Sequence, residues 1–312
     1  MQAKARILFV DDEERIVNLL RLMFRSSYEV FTATSGAQAL EIVRAQKIHV
    51  IVSDQRMPGM LGVELLAQVC KESPDTVRLL LTGYSDLAAI VGSVNEGEVF
   101  RFISKPWDQT EIRATLAEAA EIGLLSTVAA EPVRAPILSG PATTADGRTG
   151  LLVLDDNPAD HQLIAQAVGR DHPLYHARSI PEALQVLEKH DIGVMICEAQ
   201  VGGRDTGELL HVLKNNFPAI ITVMLTQSAD SDVVIKLINQ ARIYRFATKP
   251  IRQAVLQLAV SAATKEHVRC MTDRRHVARQ RTVQATDIEP NVAKSILQGL
   301  KALTTRWRLF AA

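Results

Sequence analysis

Five side chains in the first third of the chain could together carry phosphoryl-transfer chemistry: the doublet Asp11-Asp12, then Asp54, Thr82 and Lys105. Three carboxylates held close together repel one another unless a hard divalent cation neutralises them, and all-oxygen ligation suits Mg2+. Phosphoryl transfer to a carboxylate needs a nucleophilic oxygen, a metal on the phosphoryl oxygens and donors for the remaining charge. Asp54, Mg2+, Lys105 and Thr82 would supply these. Taken singly, each has an ordinary explanation, since an Asp closing a strand is more often a turn former or a helix cap.

Position is what favours chemistry. Short apolar runs at 7–10, 30–33, 49–53, 77–82 and 100–104 alternate with stretches of helical periodicity at 15–24, 37–44, 63–71, 87–95 and 110–125. Strand and helix alternating in this way imply a parallel sheet covered on both faces. In such a sheet the ligand crevice lies at the carboxyl ends of the strands. Asp11 and Asp12 close the first strand, Asp54 the third, Thr82 the fourth and Lys105 the fifth, so all five converge on one crevice.

The pattern then repeats. Asp11-Asp12 recurs as Asp155-Asp156, Thr82 as Thr226, and the run from Arg101 to Pro106 as Arg245 to Pro250, each pair 144 positions apart. A chain of 312 residues has room for about two domains. The reading is a first domain over 1–125, a linker over 126–149 marked by Pro132, Pro136 and Pro141, a second domain over 150–265, and a helical tail over 266–312.

These residues resemble the receiver domain family of response regulators. The resemblance implies two flavodoxin-like (βα)5 doubly wound α/β domains in tandem, with strand order 2-1-3-4-5. It implies that Asp54 accepts a phosphoryl group from a sensor histidine kinase. Mg2+ would be held by Asp12, Asp54 and the backbone carbonyl of Arg56, with Asp11 supporting it through water. Lys105 would contact the phosphoryl oxygens, Thr82 would move toward them, Phe102 would change rotamer, and the Lys105-Pro106 bond would be cis, as only proline allows cheaply. The wording from Ser53 to Gly59 and from Phe100 to Trp107 is similar to receivers of hydrogenase-type and HD-GYP regulators. Arg56 and Tyr84 would either flank the path of water to an acyl phosphate or lie on a docking surface.

In the second copy the position matching Asp54 is Glu198. One extra methylene displaces the carboxylate by more than an ångström, enough to lose in-line attack. Asp155, Asp156, Thr226, Phe246 and Lys249 persist as a remnant site that could still hold a metal. Glu198 would either imitate the phosphorylated state or simply satisfy Lys249 in a domain kept for docking, and Gln227 in place of Gly83 crowds the mouth.

Lys+Arg and Asp+Glu each number 35, so no global charge draws the chain to nucleic acid or an anionic membrane. Cys70, Cys197 and Cys270 fit neither a disulfide framework nor a zinc pattern. No apolar run is long enough to span a bilayer, and Asp11 to Glu14 follow the first strand too soon for a secretory leader, so a cytoplasmic location is expected. In the tail, Lys265, Arg269, Arg274, Arg275, Arg279 and Arg281 form a basic stretch. After Asp287 and Pro290, Ala293, Ile296, Leu300, Leu303, Trp307 and Phe310 trace a short heptad seam suited to dimerisation or to docking on the chain's own domains.

The expected function is a phosphorylation-controlled interaction protein with an unnamed downstream protein partner, a possible homodimer through a receiver surface or the tail, and no separate catalytic output. The alternative is a transcriptional regulator that binds DNA through the basic tail, although no helix-turn-helix fits the space. An enzymatic effector finds no supporting motif.

Overall fold

The computed structural model describes residues 4–83, 99–125, 147–226, 238–239, 241–280, 296 and 300, with the backbone alone at Thr226, Arg274 and Arg275. They fall into two compact units, one ending at residue 125 and one beginning at residue 147. The expected helix at 87–95, Tyr84, Gln227, nearly all of the 126–149 linker, Arg281 and the seam positions other than Ile296 and Leu300 lie outside the described residues.

In the first unit, β1 (Arg6–Val10), β2 (Glu29–Ala33), β3 (Val50–Asp54), β4 (Val77–Thr82) and β5 (Arg101–Ser104) form one sheet in the order β2-β1-β3-β4-β5. Every pairing is parallel. β1, β3 and β4 are mostly apolar on both faces because both faces are covered, and Ile7, Phe9, Val50, Val52, Leu79 and Leu81 anchor the core. The helices Glu14–Phe24, Gly36–Ala45, Gly62–Glu72 and Gln109–Leu125 supply the covering faces. Ser35 starts the second of these by accepting from the Gln38 amide at 3.3 Å.

The second unit repeats the plan with β6 (Gly150–Leu154), β7 (Leu174–Ala177), β8 (Ile192–Glu198), β11 (Ile221–Thr226) and β12 (Arg245–Thr248), again parallel and in the equivalent order β7-β6-β8-β11-β12. Two features are its own. A small antiparallel hairpin, β9 (Gln200–Val201) and β10 (Arg204–Asp205), follows β8. It turns through Gly202 and Gly203, whose φ values of 58° and 73° suit a tight hairpin turn and would strain other residues.

The second feature is the closing helix, Gln253–Thr272, which runs seven residues past position 265, where the sequence reading begins the tail. It does so because Cys270 and Met271 belong to the second core. The short helix Arg274–Gln280 follows, and its Gln280 Oε1 accepts from the fully buried Lys214 at 3.3 Å. Lys214 also donates to the Ile220 carbonyl at 2.7 Å. Burial lowers the Lys214 pKa to about 7, against the raising pull of Cys270 and Glu266. Ile296 and Leu300, two seam positions, are buried within the single chain. Among the described residues no helix is long and apolar enough to cross a membrane.

Candidate phosphoacceptor pocket and its counterpart

Parallel register sets the first pocket. Val10 pairs with Ala33 and Ser53, Asp54 with Leu81, and Thr82 with Ser104, so β1, β3, β4 and β5 all end at one edge of the sheet. Asp11, Asp54, Thr82 and Lys105 therefore meet there. Lys105 Nζ lies 2.8 Å from Asp11 Oδ2 and also pairs with Asp54 Oδ1.

The remaining carboxylate oxygens are steered by backbone amides. Asp54 Oδ2 accepts from the Arg56 amide at 2.6 Å, and Asp11 Oδ1 from the Glu13 amide at 3.0 Å. Asp12 is exposed at the mouth. Burial works to lower the Lys105 pKa, but its hydrogen bonds and charge contacts with Asp11 and Asp54 outweigh this and raise it, so the ammonium stays charged.

Gly62 is what lets the next helix start hard against the nucleophile position, since a Cβ there would sit 2.0 Å from the Asp54 carbonyl oxygen. Thr82 is buried and donates to the Gly83 carbonyl at 3.1 Å. Phe102 is buried, and the Lys105-Pro106 peptide is cis.

As a cation site, Asp11, Asp12 and Asp54 offer only hard oxygen donors in excess of one lysine, a chemistry that fits Mg2+. Among the described residues no acidic, imidazole or thiol groups close into a preformed cage. The donors line one edge of the sheet, with Lys105 between Asp11 and Asp54.

The second pocket keeps the framework and changes its wiring. Lys249 Nζ meets three carboxylates: Asp155 at 2.8 Å, Asp160 at 2.8 Å and Glu198 at 2.5 Å. Its side chain is 8% exposed, against 28% for Lys105. Burial again works to lower the lysine pKa, but its hydrogen bonds to Asp155, Asp160 and Glu198 outweigh this and raise it. Asp156 Oδ2 accepts from the Gly202 amide at 2.8 Å, which ties it to the hairpin. Thr206 stands where the first unit has Gly62, and its Oγ1 donates to the Glu198 and Ala199 carbonyls at 2.8 and 3.0 Å. Phe246 is buried and Lys249-Pro250 is cis. Thr226 ends β11, and its side chain lies outside the described residues. Burial pushes the Cys197 thiol, adjacent to Glu198, up to about 12, so it offers no thiolate.

The structure thus brings the expected residues of each copy to one edge, and adds two features not anticipated. Asp160 joins the lysine cluster where the first copy has Ile16, and the hairpin captures Asp156. The first was available in the sequence as an apolar residue replaced by an acid at the 144-residue offset.

The profile of the response regulator receiver domain matches residues 7–117 and 151–261. The hydrogenase transcriptional regulatory protein HoxA of Cupriavidus necator is 37% identical over 118 residues, which are 38% of this chain and 24% of that protein. The transcriptional regulatory protein GlrR of Escherichia coli is 28% identical over 178 residues, 54% of this chain and 40% of that protein. Sporulation initiation phosphotransferase F of Bacillus subtilis is 36% identical over 110 residues, 35% of this chain and 87% of that protein. Among solved structures, the signal receiver domain of an HD domain-containing protein from Pseudomonas fluorescens is 34% identical, with a TM-score of 0.39, covering 40% of this chain and 93% of that one. The chain thus spans well under half the length of the regulators HoxA and GlrR.

Proposed function

The chain belongs to the response regulator receiver family through both of its halves, and from that premise we propose that Asp54 accepts a phosphoryl group from a histidine kinase while the second receiver accepts none. The observation that carries this reading is the Lys105 ammonium lying against both Asp54 and Asp11 at one sheet edge, with Asp12 and Thr82 alongside. Asp54 attacks the phosphorus of a phosphohistidine, the phosphorus–nitrogen bond breaks, and an acyl phosphate forms on the carboxylate. Mg2+ held by Asp12, Asp54 and the Arg56 carbonyl, with Asp11 behind, would supply charge neutralisation on the phosphoryl oxygens.

Phosphorylation removes the carboxylate charge that Lys105 now pairs with, so its ammonium is left to follow the negative charge onto the phosphoryl oxygens. Thr82, whose hydroxyl now donates to its neighbour's carbonyl, has a donor to redirect toward the same oxygens. Phe102, packed inside the fold behind these groups, is the side chain through which their movement reaches the outer surface. Output is a change in protein–protein contact. The second receiver serves as a fixed docking half, with Glu198 reaching Lys249 as an acidic stand-in for phosphate.

The test is incubation with acetyl phosphate and Mg2+. The wild type is expected to take up one hydroxylamine-labile phosphoryl group per chain and D54N none, and retention of label in D54N would overturn the assignment. Unchanged partner binding in E198Q would remove the phosphate-mimic part of the reading. A DNA-binding role through the basic tail, suggested by relatives named transcriptional regulators, is the second reading; salt-sensitive binding of duplex DNA by the full chain would favour it.

A further inference from the structure

Four acids of the second pocket are engaged by protein donors: Asp155 and Glu198 in the manner of Asp11 and Asp54 in the first, and Asp160 and Asp156 by contacts of their own. Asp155 gives Oδ1 to the Asn157 amide at 2.8 Å and Oδ2 to Lys249 at 2.8 Å. Glu198 gives Oε1 to the Ala199 amide at 3.0 Å and Oε2 to Lys249 at 2.5 Å. Asp160 Oδ2 receives both Lys249 at 2.8 Å and the Asn157 side-chain amide at 2.9 Å. Asp156, the acid that would face a metal at the mouth, is held by Gly202. Thr206 also ties the end of β8 to the next helix by donating to the carbonyls of Glu198 and Ala199.

A divalent ion entering here would have to prise a buried ammonium from three carboxylates and break the Asp156 contact with the hairpin. Mg2+ is a poor competitor for such a place, because it demands near-octahedral oxygen geometry and dehydrates reluctantly. In the first pocket the lysine is more exposed and held by two carboxylates, and among the described residues no hairpin follows β3 to hold Asp12.

We infer that the second receiver is a cation-independent pocket in which Lys249 takes the place of the divalent ion, and that Asp160, standing where the first receiver has Ile16, is the residue that fixes it there. This deepens the proposed reading of the second receiver as a fixed half and uses the first pocket for contrast. Glu198 alone therefore does not account for the silence of this pocket: restoring an aspartate at 198 leaves Lys249 held by Asp155 and Asp160.

The test is Mn2+ binding to the full-length chain, with free Mn2+ read by electron paramagnetic resonance. The wild type is expected to bind one ion per chain and D12N/D54N none. In the D12N/D54N background, adding D160I together with E198D is expected to restore one ion per chain. D160N/E198D, which keeps size and a capping group at 160, is expected to restore it in part, and far-ultraviolet circular dichroism shows that each variant is folded. Zero ions on the wild type would overturn the metal reading of the first pocket while agreeing with this inference. A second ion on the wild type that survives D12N/D54N and is lost in D156N would overturn it. So would failure of both folded 160/198 variants to gain an ion.

Discussion

The two pockets share one register and one set of strand ends, yet they spend their lysine differently. Lys105 is 28% exposed and held by two carboxylates, whereas Lys249 is 8% exposed and held by three. A receiver that must exchange partners during a reaction needs a lysine it can release. A receiver that must hold one conformation is served by a lysine it cannot. Asp160, Glu198 and the hairpin after β8 supply the difference, and none of them disturbs the sheet that carries the pocket.

The largest expected effect follows from removing that lysine. K249M leaves three inward carboxylates without their cation and is expected to cost the second unit about 3–5 kcal/mol, the range for breaking a buried ion pair by loss of one partner. K105M is expected to cost the first unit less than half of that, and added Mg2+ is expected to offset part of it. Urea unfolding of the full chain, followed by probes in each unit, checks the ratio; equal losses in the two units would break the comparison.

Next comes the helix start beside each acid. G62T places a Cβ 2.0 Å from the Asp54 carbonyl oxygen and is expected to destabilise the first unit by about 2–3 kcal/mol. It is also expected to slow phosphorylation by displacing Asp54. T206G removes two hydroxyl hydrogen bonds in the second unit and is expected to cost about 1 kcal/mol. Thermal melts of the two variants settle the order.

The smallest effect concerns Lys214, whose counterpart in the first unit is Cys70. Its folded pKa of about 7 lies below that of an unfolded lysine, so between about pH 7 and 8 the unfolded chain binds the extra proton. Stability of the second unit is therefore expected to rise across that window, by on the order of 1 kcal/mol. The penalty is complete below pH 7 and is relieved as pH rises. K214M is expected to flatten the slope in chemical denaturation, and a slope that persists in K214M would assign it to another group.

Most of the frame was readable from the chain alone. In the first unit the described strands and helices begin and end within one residue of the apolar and helical runs, because the runs carry no competing period. The contrast between Asp54 and Glu198 came from register alone. Asp160 was less visible because an acid in the first turn of a helix has an ordinary role next to an N-cap such as Asn157. The hairpin was hidden because Gly202-Gly203 occupies the same loop length as Pro58-Gly59. Lys214 and the extension of the last helix depend on packing by residues more than fifty positions away, which no local pattern records. Glu266, inside the basic stretch, is buried and hydrogen-bonds His276 at 3.0 Å.

The central claim, that one pocket takes phosphate and its twin does not, is tested most directly by trapping the acyl phosphate. Full-length protein treated with acetyl phosphate and Mg2+ is reduced with borohydride, which converts a phosphorylated carboxyl side chain to an alcohol, and then mapped by peptide mass spectrometry. The expected result is homoserine at position 54, with Glu198 unmodified in the wild type and in D54N. An alcohol derived from Glu198, or an unmodified Asp54 in protein that carries phosphate, would contradict it.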